Sequence, residues 1–153
     1  MALGASIDAV RVAGTPEGPV PVVVLGVEDE DDVVPIFIGF DEAASIARGL
    51  EATPSPRPFT HDLTLDIVEE LGGRVDRVVV AAIEDSTYIA DLHLDTPRDG
   101  IVVDARPSDS LALAARTSAP VEVTEAVFES GREPADEFAD LKRLREIESL
   151  PDA

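Results

Sequence analysis

An α+β fold, built on a mixed and largely antiparallel sheet with three core helices and a C-terminal helix, is predicted for this chain of 153 residues. Three patterns predict it. Runs of β-branched residues at 20–27 and 75–83 are nearly unbroken, as in strands buried on both faces. The stretch 87–95 alternates cleanly, placing Tyr88, Ala90, Leu92 and Leu94 opposite Thr87, Asp91, His93 and Asp95. Helical stripes separated by proline and glycine breakers interleave with these strands without a regular strand–helix repeat.

In chain order, 6–13 alternates apolar and polar residues and reads as a first strand. Thr15-Pro-Glu-Gly-Pro19 is a turn, 20–27 a second strand, 28–32 an acidic hairpin loop and 33–39 a third strand. Pro35 confines that strand to an edge or a bulge, because it cannot donate to a ladder. Ala43, Ile46, Ala47 and Leu50 follow the spacing of one helical stripe, with Asp41 as the expected cap. Three prolines between Thr53 and Pro58 end that helix. A second helix is expected from an N-cap at Thr60, with Leu63, Ile67, Val68 and Leu71 inward and Gly72-Gly73 as the stop. Asp85-Ser86 joins the next two strands, and 101–104 follows the Pro97–Gly100 turn. A third helix opens at Pro107 or Ser108 and runs through Arg116; a short strand at 120–123 and a brief helix capped by Thr124 complete a domain expected over 1–131. The remainder, 132–153, reads as an amphipathic helix and tail opened by Pro134, with Phe138, Leu141, Leu144, Ile147 and Leu150 on a broad stripe.

Thirty-two acids against twelve bases give a formal net charge of −20. Such self-repulsion opposes the compact state in dilute buffer and largely vanishes at molar salt, where the Debye length is about 3 Å. Eleven of the bases are Arg, with Lys142 the single lysine. The composition therefore points to a salt-rich cytoplasm, that of a halophile. Apolar residues make up 44%, too many for a disordered acidic tail. No apolar run is long enough to span a membrane, and the first fourteen residues lack the basic start and apolar core of a secretory leader, so a cytoplasmic protein is expected. Without cysteine there is no disulfide, thiolate nucleophile or thiolate zinc site. A basic footprint for nucleic acid is missing as well.

Polar residues crowd at two helix starts, Arg57-Pro-Phe-Thr-His-Asp62 and Asp104-Ala-Arg-Pro-Ser-Asp-Ser110. Each combines a proline-fixed turn, an arginine, a hydroxyl and a carboxylate at a helix end whose free N–H groups favour an anion. His61 at such a start is a candidate base or ligand. Glu42, beside the first helical stripe, faces either a cleft or water. Thr60, Asp62, Ser108 and Asp109 are equally ordinary capping and first-turn residues, and Arg57 and Arg106 ordinary partners for nearby carboxylates. His93 lies on a polar strand face and takes no role. The acidic loop at 28–32 lacks the spaced ligands and central glycine of a calcium loop.

Taken together, Pro35-Ile-Phe-Ile-Gly39 with Glu42-Ala43, then Arg57-Pro-x-Thr-His-Asp62, then Asp104-Ala-Arg-Pro-Ser-Asp109 with Leu111–Ala114 and Arg116 resemble the bifunctional nuclease family, long catalogued as a domain of unknown function. The resemblance covers roughly residues 5–131 and marks an acidic, haloarchaeal-type member. It implies a compact α+β domain that self-associates, most simply as a dimer, and a nuclease acting on RNA and DNA. With one lysine and no cysteine, the natural chemistry is metal-assisted hydrolysis by Mg²⁺ or Mn²⁺. The metal set would be Asp62, Asp104 and Asp109. Catalysis would fall to His61, Asp62, Asp109 and Glu42, and phosphate binding to Arg57, Arg106, Ser108 and Thr60. The alternative is a non-catalytic binding or regulatory domain, in which the same residues are helix caps and interface residues.

Overall fold

The computed structural model describes residues 1–52 and 54–144. Its first strands, β1 (Ala2–Thr15), β2 (Gly18–Val27) and β3 (Asp32–Phe37), form an antiparallel meander. Helices α1 (Phe40–Glu51) and α2 (Thr60–Glu70) follow, then an antiparallel run of β4 (Arg74–Glu84), β5 (Thr87–Asp95) and β6 (Gly100–Ala105). After α3 (Pro107–Thr117), strand β7 (Val121–Thr124) inserts between the two strand groups, parallel to β4 and antiparallel to β1. With β8 at Glu133–Pro134, the order is β6-β5-β4-β7-β1-β2-β3-β8, so one parallel pair makes an otherwise antiparallel sheet mixed. Helix α4 (Glu125–Gly131) is capped by the Thr124 hydroxyl, which accepts from Val127 N–H at 3.2 Å.

Local chemistry accounts for these elements. Asp85 and Ser86 both take positive φ, as a two-residue hairpin between twisted strands requires. Pro35 is paired with Val24 of β2, while β8 (Glu133–Pro134) reaches only Asp32 and Val33. Beyond those two residues the outer side of β3 is an edge among the described residues, as a missing N–H demands; the Tyr88 hydroxyl donates to Pro35 O there at 3.4 Å. The unbroken run in β2 is buried on both faces. Val23, Leu25 and Val27 join the main core with Ile46, Leu111 and Phe128, whereas Val22 and Val24 form a second cluster with Val33, Phe138 and Leu141.

Four expectations need correction. The N-cap of α1 is Gly39, with Asp41 inside the first turn, and Leu50 is 44% exposed although Ala43, Ile46 and Ala47 are buried. The N-cap of α2 is Phe59, and Thr60 is the first helical residue. Most of its expected inner stripe faces out: Leu63, Ile67 and Leu71 are 49%, 52% and 76% exposed, Val68 is half-buried, and Leu65 is the buried residue. The helix starts one residue earlier than a cap at Thr60 allows and packs through the Leu65 side, which contacts α3 and β4.

The fourth concerns the C-terminal stretch, whose described residues, 132–144, hold one helical turn, α5 (Asp136–Ala139), between β8 and β9 (Lys142–Arg143). Glu133 and Pro134 extend the sheet beside β3, and Lys142 and Arg143 pair with Val12 and Arg11 of β1. A three-residue apolar spacing drifts around a straight helix. Here it serves a chain that covers the outer face of β2 and β3 with Phe138 and Leu141 and returns Leu144 to the main core. Ile147 and Leu150 lie outside the described residues.

Candidate functional site

Helices α1, α2 and α3 lie on one face of the sheet and pack on one another. The approach of α1 to α3 is close enough that a Cβ on Gly49 would stand 2.9 Å from that of Ala115. This packing joins the two polar segments that are far apart in the sequence. His61, in the first turn of α2, is bonded at both ring nitrogens. Its Nδ1 lies 2.6 Å from Ser45 Oγ of α1, and its Nε2 lies 2.9 Å from Asp109 Oδ1 of α3. A carboxylate only accepts, so Nε2 carries the proton. In the neutral ring Nδ1 then accepts from the Ser45 hydroxyl.

The network extends in two directions from this serine–histidine–aspartate line. On one side, Arg106 donates through Nε and a terminal nitrogen to both oxygens of Asp109, at 2.9 and 3.1 Å, and reaches Glu42 at 3.4 Å. On the other, Arg116 donates to Asp62 Oδ1 at 2.6 Å, to the backbone oxygens of Ser45 and Ala112 at 2.9 Å, and to Ser45 Oγ at 3.2 Å. Asp62 also accepts from Phe59 N–H at 3.0 Å, closing the start of α2. His61 and Arg116 are largely covered, whereas Arg106 is 64% exposed. Glu42 folds back over Gly39, where any Cβ would collide with its carboxylate.

Burial alone would raise the pKa of Asp109. Hydrogen bonds from Arg106 and His61 outweigh it and hold the carboxyl below its ordinary range. Asp62 follows the same logic: burial pushes up, and the Arg116 and Phe59 hydrogen bonds with the charges of Arg116 and Arg48 bring it lower. The Asp109 hydrogen bonds raise Arg106 above its usual value.

Of the residues singled out in the sequence, His61, Asp109, Arg106 and Glu42 meet directly, and Asp62 joins them through Arg116 and Ser45. Ser108 is buried at the start of α3. With Glu42, Arg106, Gly39 and Tyr88 it lines a cleft of about 320 Å³. Arg57 and Thr60 are exposed outside this network. Asp104 is opposite Asp91 on β5, one step out of phase with the buried Leu92, and so lies on the far sheet face from the helices. Among the described residues, no three His, Cys, Asp or Glu side chains converge as a metal cage. Glu42 and Asp109 share the Arg106 guanidinium.

Ser45, Arg48 and Arg116 are the members that sequence reasoning left without a role. Ser45 sits among alanines on a buried stripe, where a small hydroxyl residue gives no signal. Arg116 offers only the common pattern of a cation in the last turn of a helix.

The bifunctional nuclease domain family matches residues 23–136, a span that contains every member of this network. The chain belongs to that family. An uncharacterised protein of Mycobacterium tuberculosis, found in two strains, is 42% identical over 108 residues, which are 71% of this chain and 64% of the relative. Bifunctional nuclease 2 of Oryza sativa subsp. japonica is 26% identical over 109 residues, 69% of this chain and 34% of that protein. The chain thus spans just under two thirds of the mycobacterial relatives and about one third of the rice protein. No helix among the described residues is long and apolar enough to cross a membrane.

The two depressed carboxyls make an acid-stability prediction. A group whose folded pKa lies below its unfolded value stabilises fully above the unfolded value, about 3.9 for Asp, and loses that contribution as pH falls through the folded value. Urea unfolding followed from pH 6 downward is expected to show stability falling below the ordinary Asp range, with a shallower fall in Asp109→Asn. Equal acid slopes in the two proteins would contradict the assigned bonding of Asp109.

Proposed function

We propose that this chain is a nuclease that hydrolyses phosphodiester bonds of RNA and DNA in a salt-rich cytoplasm, using the cleft at the start of α3. The observation that carries the reading is the position of Arg106, a largely exposed guanidinium at the cleft mouth shared by two carboxylates, one of them held by His61. Family membership and the printed name of the rice relative support the same reading. A guanidinium is a bidentate partner for phosphate oxygens. When Arg106 turns to a phosphodiester, the Glu42 oxygens are released toward the same cleft, and Asp109 beside it gives up the guanidinium. Asp109 remains ionised and aimed by His61, and Ser108 and the first N–H groups of α3 add donors beside the phosphate.

Mg²⁺ or Mn²⁺ belongs to this proposal as a companion of the substrate phosphates. Mg²⁺ is commonly held by one or two carboxylates plus phosphate, and Glu42 and Asp109 are the pair that would hold it. When bound it activates water and neutralises charge on the phosphate. Asp62 and Arg116 position Ser45 and His61 behind the cleft. A surface at −20 repels nucleic acid in dilute buffer, so cleavage is expected to need high ionic strength or divalent cations. The non-catalytic reading draws on one observation: both ring nitrogens of His61 are already engaged, as in a purely structural tie.

Single-stranded RNA and DNA incubated in molar KCl, with Mg²⁺ or Mn²⁺ and with EDTA, separate the two readings. Cleavage is expected with metal, falling about 10²-fold or more in Arg106→Ala and Asp109→Ala, by analogy with removal of one charge-stabilising group. Cleavage unchanged by Asp109→Ala and Asp62→Ala would end the assignment. No cleavage of either substrate would leave the binding domain.

We further propose that two copies pair through β6. Among the described residues β6 pairs only with β5, and Ile101, Val102 and Val103 are 43%, 56% and 40% exposed. A two-fold antiparallel pairing centred on Val102 sets Ile101 against the second copy's Val103 and Gly100 against its Asp104, so no carboxylate faces another. Sedimentation is expected to show dimers in molar KCl, monomers at about 0.1 M, where charge repulsion is unscreened, and monomers at both in Val102→Lys. A wild-type monomer at both salts would refute the pairing.

A further inference from the structure

On the opposite side of Ser45 from the Arg106 cleft, a second cavity of about 270 Å³ lies between the end of α1, the start of α2 and the end of α3. Its lining is Arg48, Gly49, Ala52, Phe59, Asp62 and Arg116. Two guanidinium groups thus meet one carboxylate in a chain where acids outnumber bases thirty-two to twelve. With four of its five N–H donors bonded to Asp62, Ser45 and Ala112, Arg116 is largely engaged. Arg48 is not. Its guanidinium carbon lies 3.9 Å from the centre of the Phe59 ring, which fixes the plane of the group. Its Nε is buried with no hydrogen-bond partner among the described residues. A buried donor of a charged group left unpaired is costly, and native structures rarely keep one without a use. Burial and the neighbouring charge of Arg116 both act against the Arg48 cation, and the acids Asp62 and Asp41 offset this only from a distance.

We propose that this cavity is a phosphate-binding site, in which Arg48 and Arg116 take the oxygens of a phosphate group and Phe59 walls one side. An anion there supplies the missing acceptor for Arg48 and relieves the repulsion between the two arginines. Its volume admits a phosphate with the first atoms of its ester, so the ligand is a phosphate monoester end, on a nucleic acid strand or a free nucleotide, or inorganic phosphate itself. Asp62 shares Arg116 with the ligand. Occupancy is therefore felt at Ser45 and His61 through bonds already described. The site does not depend on whether the Arg106 cleft cleaves anything.

The experiment uses the full chain carrying Arg106→Gln, which removes the exposed cation of the other cleft and leaves this cavity intact. Inorganic phosphate is titrated at constant ionic strength and followed by calorimetry and by the NMR signals of the Phe59 ring. One saturable site is expected, with Phe59 shifting on binding. Arg48→Gln is expected to weaken it at least tenfold, and Phe59→Leu, at a ring that is 39% exposed, several-fold. Parallel titrations with a nucleoside 5′-monophosphate, and with an oligonucleotide bearing or lacking a 5′-phosphate, separate the sources: tighter binding of the 5′-phosphorylated strand assigns the site to strand ends, and equal binding of phosphate and mononucleotide assigns it to free ligands. No saturable phosphate binding, or affinity unchanged in both Arg48→Gln and Phe59→Leu, would overturn the proposal.

Discussion

The imidazole of His61, bonded through one nitrogen to Ser45 and through the other to Asp109, is the tie on which the rest of the site depends. It is the point where α1, α2 and α3 share polar side chains under a covering that excludes most water. Bonds in such surroundings are worth more when complete and cost more when broken. Each neighbour is then satisfied in turn: Asp109 by Arg106, Ser45 by Arg116, Asp62 by Arg116 and the start of α2. The sheet makes this possible by carrying α1 and α3 side by side, with Gly49 allowing the close approach.

This arrangement reconciles an acidic protein with phosphate chemistry. The net charge is spread over the surface, but three arginines are drawn to the helix ends, Arg106 bordering one cavity and Arg48 and Arg116 the other. Arg106 is exposed and paired, a group able to exchange a carboxylate for a phosphate. Arg48 is covered and incompletely paired, a group that waits for an acceptor. The ties through His61 and Arg116 place the two cavities on opposite ends of a single line of hydrogen bonds.

Much of the fold was legible because the strands announce themselves: β-branched runs, a clean alternation in β5 and turn residues at the hairpin tip leave little choice of element. The face of α2 was not legible, because Leu63, Ile67 and Leu71 form as regular a stripe as any buried one; only the tertiary position of Leu65 decides which side packs. The C-terminal stretch misled for a related reason, since Phe138 and Leu141 answer to an apolar outer sheet face that local periodicity cannot reveal. In the site, the polar first turns of α2 and α3 were found by their pattern, although the caps themselves are Phe59 and Arg106, and His61 and Asp109 do meet. Asp104 was misplaced because strand parity, not closeness to Arg106 in the chain, sets its direction. Ser45 was invisible among alanines, since its role arises only when α2 is laid across α1.

The most direct test of this account is the ring ¹⁵N NMR of His61 at neutral pH, assigned by comparison with His61→Gln. The account predicts a proton on Nε2, shifted downfield and slow to exchange, and an Nδ1 that changes its shift in Ser45→Ala. An imidazole with its proton on Nδ1, or one exchanging as freely as a solvent-facing histidine, would contradict it.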